Sequence, residues 1–220
     1  AGTVCVLVFA FMMLAGSRND ANELMWKSLY EGNVTLLESA LAMKPDLEPW
    51  CGPYEICKPL AWAVQKGDME IIRMLVAAGA DPNGKNAYGD TAFVTVDHAE
   101  QMAGKSREDI RQIRKFLLEN GTDPNQENDF GVTPFMGTVA VGDIELLELC
   151  LQKGAHVNFR NRNDWTPLMS AAQFNQPAAA QWLLQKGANL ALKDRHGKTA
   201  LDYALLKGNT DVAGILSAPK

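Results

Sequence analysis

The chain has 220 residues, 47% hydrophobic and 21% charged, a composition that excludes a disordered chain and suits one large globular domain or two small ones. Its net charge of −5 leaves no surplus of Lys and Arg for the broad basic face that a phosphate backbone requires, so nucleic-acid binding is set aside.

In chain order the first element is Ala1 to Gly16, which is uncharged, almost wholly apolar, and followed abruptly by the polar Ser17-Arg18-Asn19-Asp20. It falls short of the ~20 apolar residues of a spanning helix and matches a signal-peptide hydrophobic region ending in small residues, here Ala15-Gly16-Ser17. Residues 1–17 are therefore expected to be a signal peptide, leaving a mature chain over 18–220 with no stable membrane span. The competing reading is a short capping helix over Val4 to Leu14, which would normally carry a polar stripe that this segment lacks. The basic residues and initiator Met that precede such a stretch are missing, and the sequence is expected to begin inside the signal.

Of the four cysteines, Cys5 lies in that segment and Cys51, Cys57 and Cys150 lie beyond it. Cys51 and Cys57 flank Gly-Pro-Tyr-Glu-Ile, a short run rich in turn formers, and export would permit a disulfide between them. So short a closure would contribute about 2 kcal/mol, mostly by holding the loop in shape. Zinc is the alternative for this pair, but no second Cys or His pair stands at ligand spacing, so neither a metal nor a cofactor is expected. Cys150 sits in an apolar helical pattern and reads as a small core residue.

From Leu24 onward the chain repeats itself with a period of 33. A degenerate first copy runs from Leu24 to Lys44 and contains Gly32-Asn-Val-Thr-Leu-Leu. The second contains Lys58-Pro-Leu-Ala-Trp-Ala63 and then Gly67-Asp-Met-Glu-Ile-Ile, preceded by Trp50 to Cys57 where later copies have a DxxG-like turn. The third opens with Asn86-Ala-Tyr-Gly-Asp-Thr-Ala-Phe93, the fourth with Asn128-Asp-Phe-Gly-Val-Thr-Pro-Phe135 and the fifth with Asn161-Arg-Asn-Asp-Trp-Thr-Pro-Leu168. The sixth is Asp194-Arg-His-Gly-Lys-Thr-Ala-Leu-Asp-Tyr-Ala204 followed by a second apolar helix to Leu216. Copies end in Gly79-Ala-Asp-Pro-Asn83, Gly121-Thr-Asp-Pro-Asn125, Gly154-Ala-His-Val-Asn158 and Gly187-Ala-Asn-Leu190. From Thr91 to Thr133 the spacing is 42 residues instead of 33, and the nine extra fall in the polar stretch Asp97 to Asp109, where a longer first helix or an enlarged turn is expected.

The physical roles of these positions are plain. Thr-Pro starts a helix with a capping hydroxyl and a proline at a tolerated first-turn position, and the glycine eight or nine residues on reverses the chain. Acidic residues then suit the positive end of the next helix, and Gly79, Gly121, Gly154 and Gly187 close it.

The copies resemble the ankyrin consensus DxxGxTPLHxAxxxGxxxxVxxLL with its GADxN ending, over about Ala21 to Ser217. The resemblance implies an all-α fold, a solenoid of about six helix-turn-helix repeats with short β-hairpin or loop fingers, bounded near 21–48, 49–83, 84–125, 126–158, 159–191 and 192–218. It also implies binding through the fingertips and first helices, which line a concave face. Tyr54, Tyr88, Phe130 and Trp165 fall in or beside the tips, Phe174 near the end of a first helix, and Arg162, Arg195 and His196 on tips of the basic stretch 159–198, where they would steer an acidic partner. Some of these rings are alternatively expected to fold back on the next finger, and the charges to be only a solvated face.

Catalysis is not expected. His98, His156 and His196 lie in different repeats, Cys150 has no histidine matched to it in the frame, and neither a phosphate-binding glycine loop nor HExxH is present. The resemblance to exported bacterial ankyrin proteins implies a periplasmic protein, monomeric by itself, that binds a protein partner, foremost an immunity protein neutralising a secreted toxin such as a lipase. Two other expectations stand beside it: a periplasmic scaffold or protective protein in oxidative-stress defence, and a secreted effector directed at a host.

Overall fold

The computed structural model describes residues 20–48, 58–86, 89–96 and 105–218. Among the described residues every regular element is a helix, and the fingers are turns without strands, so loop fingers and not β-hairpins are what the sequence builds. The chain divides into two compact units, Ala1–Gly121 and Thr122–Lys220.

The first unit contains α1 (Asp20–Glu31), α2 (Val34–Ala42), α3 (Pro59–Lys66), α4 (Met69–Ala77), a helical run over 92–96, and α5 (Arg107–Glu119). First helix packs on first helix, α1 on α3, and second on second, α2 on α4. The apolar faces that one pair cannot bury alone meet there: Met25, Leu37, Val64, Ile72 and Leu75 are wholly buried. Asn33 and Asp68 cap α2 and α4 with side-chain oxygens that accept backbone N–H groups, satisfying donors that the helix itself leaves orphaned. Of the nine-residue expansion, the end belongs to α5: Ser106 and Asp109 form a reciprocal capping box that starts the helix at Arg107. The guanidinium of Arg73 lies 4.9 Å from the centre of the Phe116 ring, tying α4 to α5.

The second unit contains α6 (Pro134–Val141), α7 (Ile144–Gln152), α8 (Pro167–Gln173), α9 (Pro177–Gln185), α10 (Ala200–Lys207) and α11 (Thr210–Ser217). Here α6 packs on α8 and α8 on α10, while α7 packs on α9 and α9 on α11. Thr133, Thr166 and Thr199 cap the three first helices through their hydroxyls, the first two followed by proline and the third by alanine. Gly142 and Gly208 end α6 and α10 with left-handed backbone, and where the fifth repeat has no glycine Asn175 takes that conformation at φ 52°. After α7 and α9 the amides of Ala155 and Ala188 bond back to Cys150 and Leu183, and those of Gly154 and Gly187 to Leu151 and Leu184, the double closure of a Schellman ending. Cys150 is fully buried in α7.

Repeats are joined by one recurring bond. The Asn83 side-chain amide donates to the carbonyl of Gly121 at 2.8 Å, Asn125 to Gly154 at 2.9 Å and Asn158 to Gly187 at 3.0 Å. The first of these spans 38 residues and the other two span 29, so the nine extra residues are accommodated without changing which atoms meet.

Two reversal glycines separate conformational strain from crowding. Gly67→Ala must hold φ near +65° and also displace the Lys105 side chain, which a Cβ would approach to 2.8 Å, whereas Gly208→Ala at φ +71° meets nothing within 4 Å. Thermal unfolding should show a loss of about 1–2 kcal/mol for Gly208→Ala from the backbone alone. A larger loss is expected for Gly67→Ala; equal losses would mean that Lys105 simply swings aside.

Candidate protein-binding surface

The fingers of the second unit are built by a single device. In each, the first Asn or Asp side chain accepts two backbone N–H groups of its own turn: Asn128 from Phe130 and Val132, Asn161 from Asn163 and Trp165, Asp194 from His196 and Lys198, all between 2.8 and 3.0 Å. The main chain closes the same loop, since the amides of Asn128, Asn161 and Asp194 donate to the carbonyls of Val132, Trp165 and Lys198. Asx turns of this kind fix the backbone locally, so each tip is formed before anything binds.

Adjacent tips are fastened together. The Asn161 side-chain amide donates to Gly131, and the Arg195 amide donates to the Asn163 carbonyl at 3.2 Å. Arg162 reaches back across the preceding finger, donating to the carbonyls of Asp129 and Asn128 at 2.9 Å and pairing with Glu127 at 3.1 Å. It is therefore a staple between fingers, although half of its side chain stays exposed. The sequence places Arg162 at a tip; its partners lie 33 to 35 residues upstream and no local pattern names them.

Trp165 folds inward. Its ring lies 4.4 Å from that of Tyr203 and its indole N–H donates to Ser170 at 2.9 Å, leaving it only partly exposed. Tyr203 in turn donates its hydroxyl to Asp194 at 2.5 Å. Burial opposes ionisation of Asp194, but the Tyr203 hydroxyl and the amides of Lys198 and His196 outweigh it and hold the carboxyl below its usual value. Burial, and then the Asp194 carboxylate, push the Tyr203 hydroxyl up to about 12.

Other apolar groups stand outward, among them Val132, Leu205 and Leu206. Phe130 at a tip is 68% exposed, Phe174 at the end of α8 is 53% exposed, and Val141, 33 residues before Phe174 and at the end of α6, is 50% exposed. Val141 escapes notice when aromatics alone are sought; the repeat period applied to Phe174 leads to it. Arg195 and His196 are exposed at the last finger, with the Arg195 Nε 3.2 Å from His196 Nε2. The His156 amide donates to the Asn125 side-chain oxygen at 3.0 Å, a contact with the preceding repeat 31 residues upstream. Of the remaining sites read from the sequence, Tyr54, Tyr88, Cys51, Cys57 and His98 lie outside the described residues. Among the described residues no cluster of His, Cys, Asp and Glu has the form of a metal site, and no helix is long and apolar enough to cross a membrane.

Comparison with known proteins agrees with this architecture. Family models described as ankyrin repeats match residues 57–87, 102–194 and 175–216. The crystal structure of EF0377, an ankyrin-repeat protein, is similar with a TM-score of 0.72 and 24% sequence identity, over 93% of this chain and 100% of that one, a likeness of fold. No curated protein matches the sequence. With matched repeats over well over half of its length and first-on-first, second-on-second helix stacking in each unit, the chain belongs to the ankyrin-repeat family, whose repeats are protein-binding modules.

Proposed function

We propose that this chain is an exported, periplasmic protein that binds and neutralises a secreted toxin through the fingers and first helices of its second unit. The observation that carries the binding surface is the row of pre-formed, cross-bonded tips from which Phe130, Arg195 and His196 project, with Phe174 and Val141 on the helices beside them. A surface already ordered before contact loses little conformational entropy on binding, which suits tight inhibition. Export is supported by the uncharged apolar run Ala1 to Gly16 and the small residues Ala15-Gly16-Ser17. The resemblance to exported bacterial ankyrin immunity proteins supplies the toxin as partner.

The test is affinity capture by the tagged chain from Arg18 onward in extract of the source cells, with identification by mass spectrometry and an assay of the captured protein. A stoichiometric secreted enzyme whose activity falls on binding is the expected result. A resident protein whose activity survives would make the chain a scaffold, and the inhibitory reading would be dropped. In the same capture, Phe130→Ala with Phe174→Ala should weaken retention by about 2 kcal/mol or more, as exposed aromatic anchors do, without change in far-UV circular dichroism. Undiminished retention would move the site away from these fingers.

A further inference from the structure

On the last two fingers the carboxylates are engaged within the protein, while the cations are so only in part, Arg160 and Arg162 being paired. Asp164 pairs with Arg160 at 2.9 Å. Asp194 is buried and receives Tyr203 and two amides. Asp202 accepts from the amide and hydroxyl of Thr199, both at 2.7 Å, as part of the cap of α10. Lys193 and Arg195 are exposed and make no ion pair among the described residues. The field presented outward by these fingers is thus positive, although the whole chain carries −5.

The apolar groups are continuous with this field. The Phe130 turn is bonded to the next finger through Asn161 and Arg162, and that finger to the last through the Arg195 amide. Val141 and Phe174 end the stacked helices α6 and α8 at the same position of consecutive repeats, and the next position in that series is the exposed Lys207. Along the row, Val141 and Phe174 stand out at the α6 and α8 end, and Lys193, Arg195 and Lys207 stand at the α10 end beside the exposed Leu205 and Leu206.

We infer that the partner segment seated on this surface is acidic, with aromatic or aliphatic side chains meeting Phe130 and Phe174 and carboxylates meeting Lys193 and Arg195. This rests on the protein-binding reading above and names the chemistry of the partner at the same site. Opposite charge steers encounter and fixes direction, while the apolar contacts set the dissociation rate. A basic segment would be repelled at the α10 end and is thereby selected against.

The experiment is selection of a random dodecapeptide phage library on the purified chain, followed by affinity measurement with the synthesised winners. Enrichment of Asp and Glu beside aromatic or aliphatic residues is expected, together with binding that weakens as salt is raised. Lys193→Glu with Arg195→Glu should lower affinity roughly tenfold, two exposed pairs being lost and replaced by repulsion. Phe174→Ser should lower it independently, and all variants are first shown to melt as the parent does. Winners without acidic enrichment, or acidic winners indifferent to the charge reversal, would overturn the inference. Neutral or basic winners that still depend on Phe130 would do so while leaving protein binding at these fingers intact. Absence of any winner dependent on Phe130 or Phe174 would remove both readings.

Discussion

Phe135→Ala is expected to destabilise the second unit by about 3 to 5 kcal/mol, the cost of emptying a buried aromatic site that its surroundings refill only in part. Phe135 is 1% exposed, the largest fully buried side chain among the described residues. Its ring meets that of Trp182 edge-on, with centroids 6.5 Å apart and planes at 63°. It occupies the position that Leu168 fills one repeat later, and its amide donates to Pro124 at the start of the unit. In a repeat stack stability is approximately a sum of repeat terms and nearest-neighbour interfaces, so the cavity weakens the joint between fourth and fifth repeats more than it weakens either alone. Urea unfolding followed by Trp fluorescence and by circular dichroism should lose its single transition, the two probes separating. A loss under about 1 kcal/mol with coincident probes would show that α6 and α9 close over the gap.

Tyr203→Phe should cost about 1.5 to 3 kcal/mol at neutral pH, because it removes a donor from a buried carboxylate without removing the carboxylate. The pH dependence identifies the cause. Asp194 has a depressed folded pKa, so its contribution is present above its unfolded value near 3.8 and is lost as pH falls through the folded one. Tyr203 has a hydroxyl raised from 10.0 to about 12, so the stability linked to its neutral form is complete below 10 and lost as pH rises toward 12. The difference between parent and Tyr203→Phe should therefore be greatest between those limits and shrink at both ends. Asp109, Glu148 and Asp202 are likewise held below their usual values by hydrogen bonds, but they titrate alike in both proteins and cancel in the difference. A difference that does not vary with pH would mean that the ring contact with Trp165, and not the hydroxyl, is what matters.

What the sequence discloses and what it withholds follow from distance along the chain. Thr133, Thr166, Gly67 and Gly142 act on neighbours within five residues, so their roles are readable from the motif alone. Asn175 shows the limit of reading by residue type, for it reverses the chain where other repeats have a glycine, asparagine being one of the few residues that tolerate left-handed backbone. The orientation of Trp165 depends on Tyr203, which lies a full repeat and more beyond it, and whether Arg162 points outward depends on a carbonyl 33 residues before it. Phe130 and Phe174 are exposed at 68% and 53%. Position in the repeat locates a side chain; only the contents of the adjacent repeats decide whether it is a tip or a tie.

The asparagine-to-glycine bond between successive repeats has a consequence for how such a gene changes. Because Asn125 meets Gly154 through the same atoms by which Asn158 meets Gly187, an unequal crossover that duplicates or deletes one block rejoins an unaltered seam. The bond from Asn83 to Gly121, closed over nine additional residues, shows that a block can also be lengthened internally while its seam is kept. Natural variation in this lineage should therefore arise in whole repeats and in insertions between their helices, and the copy number should drift faster than the residues at the seams.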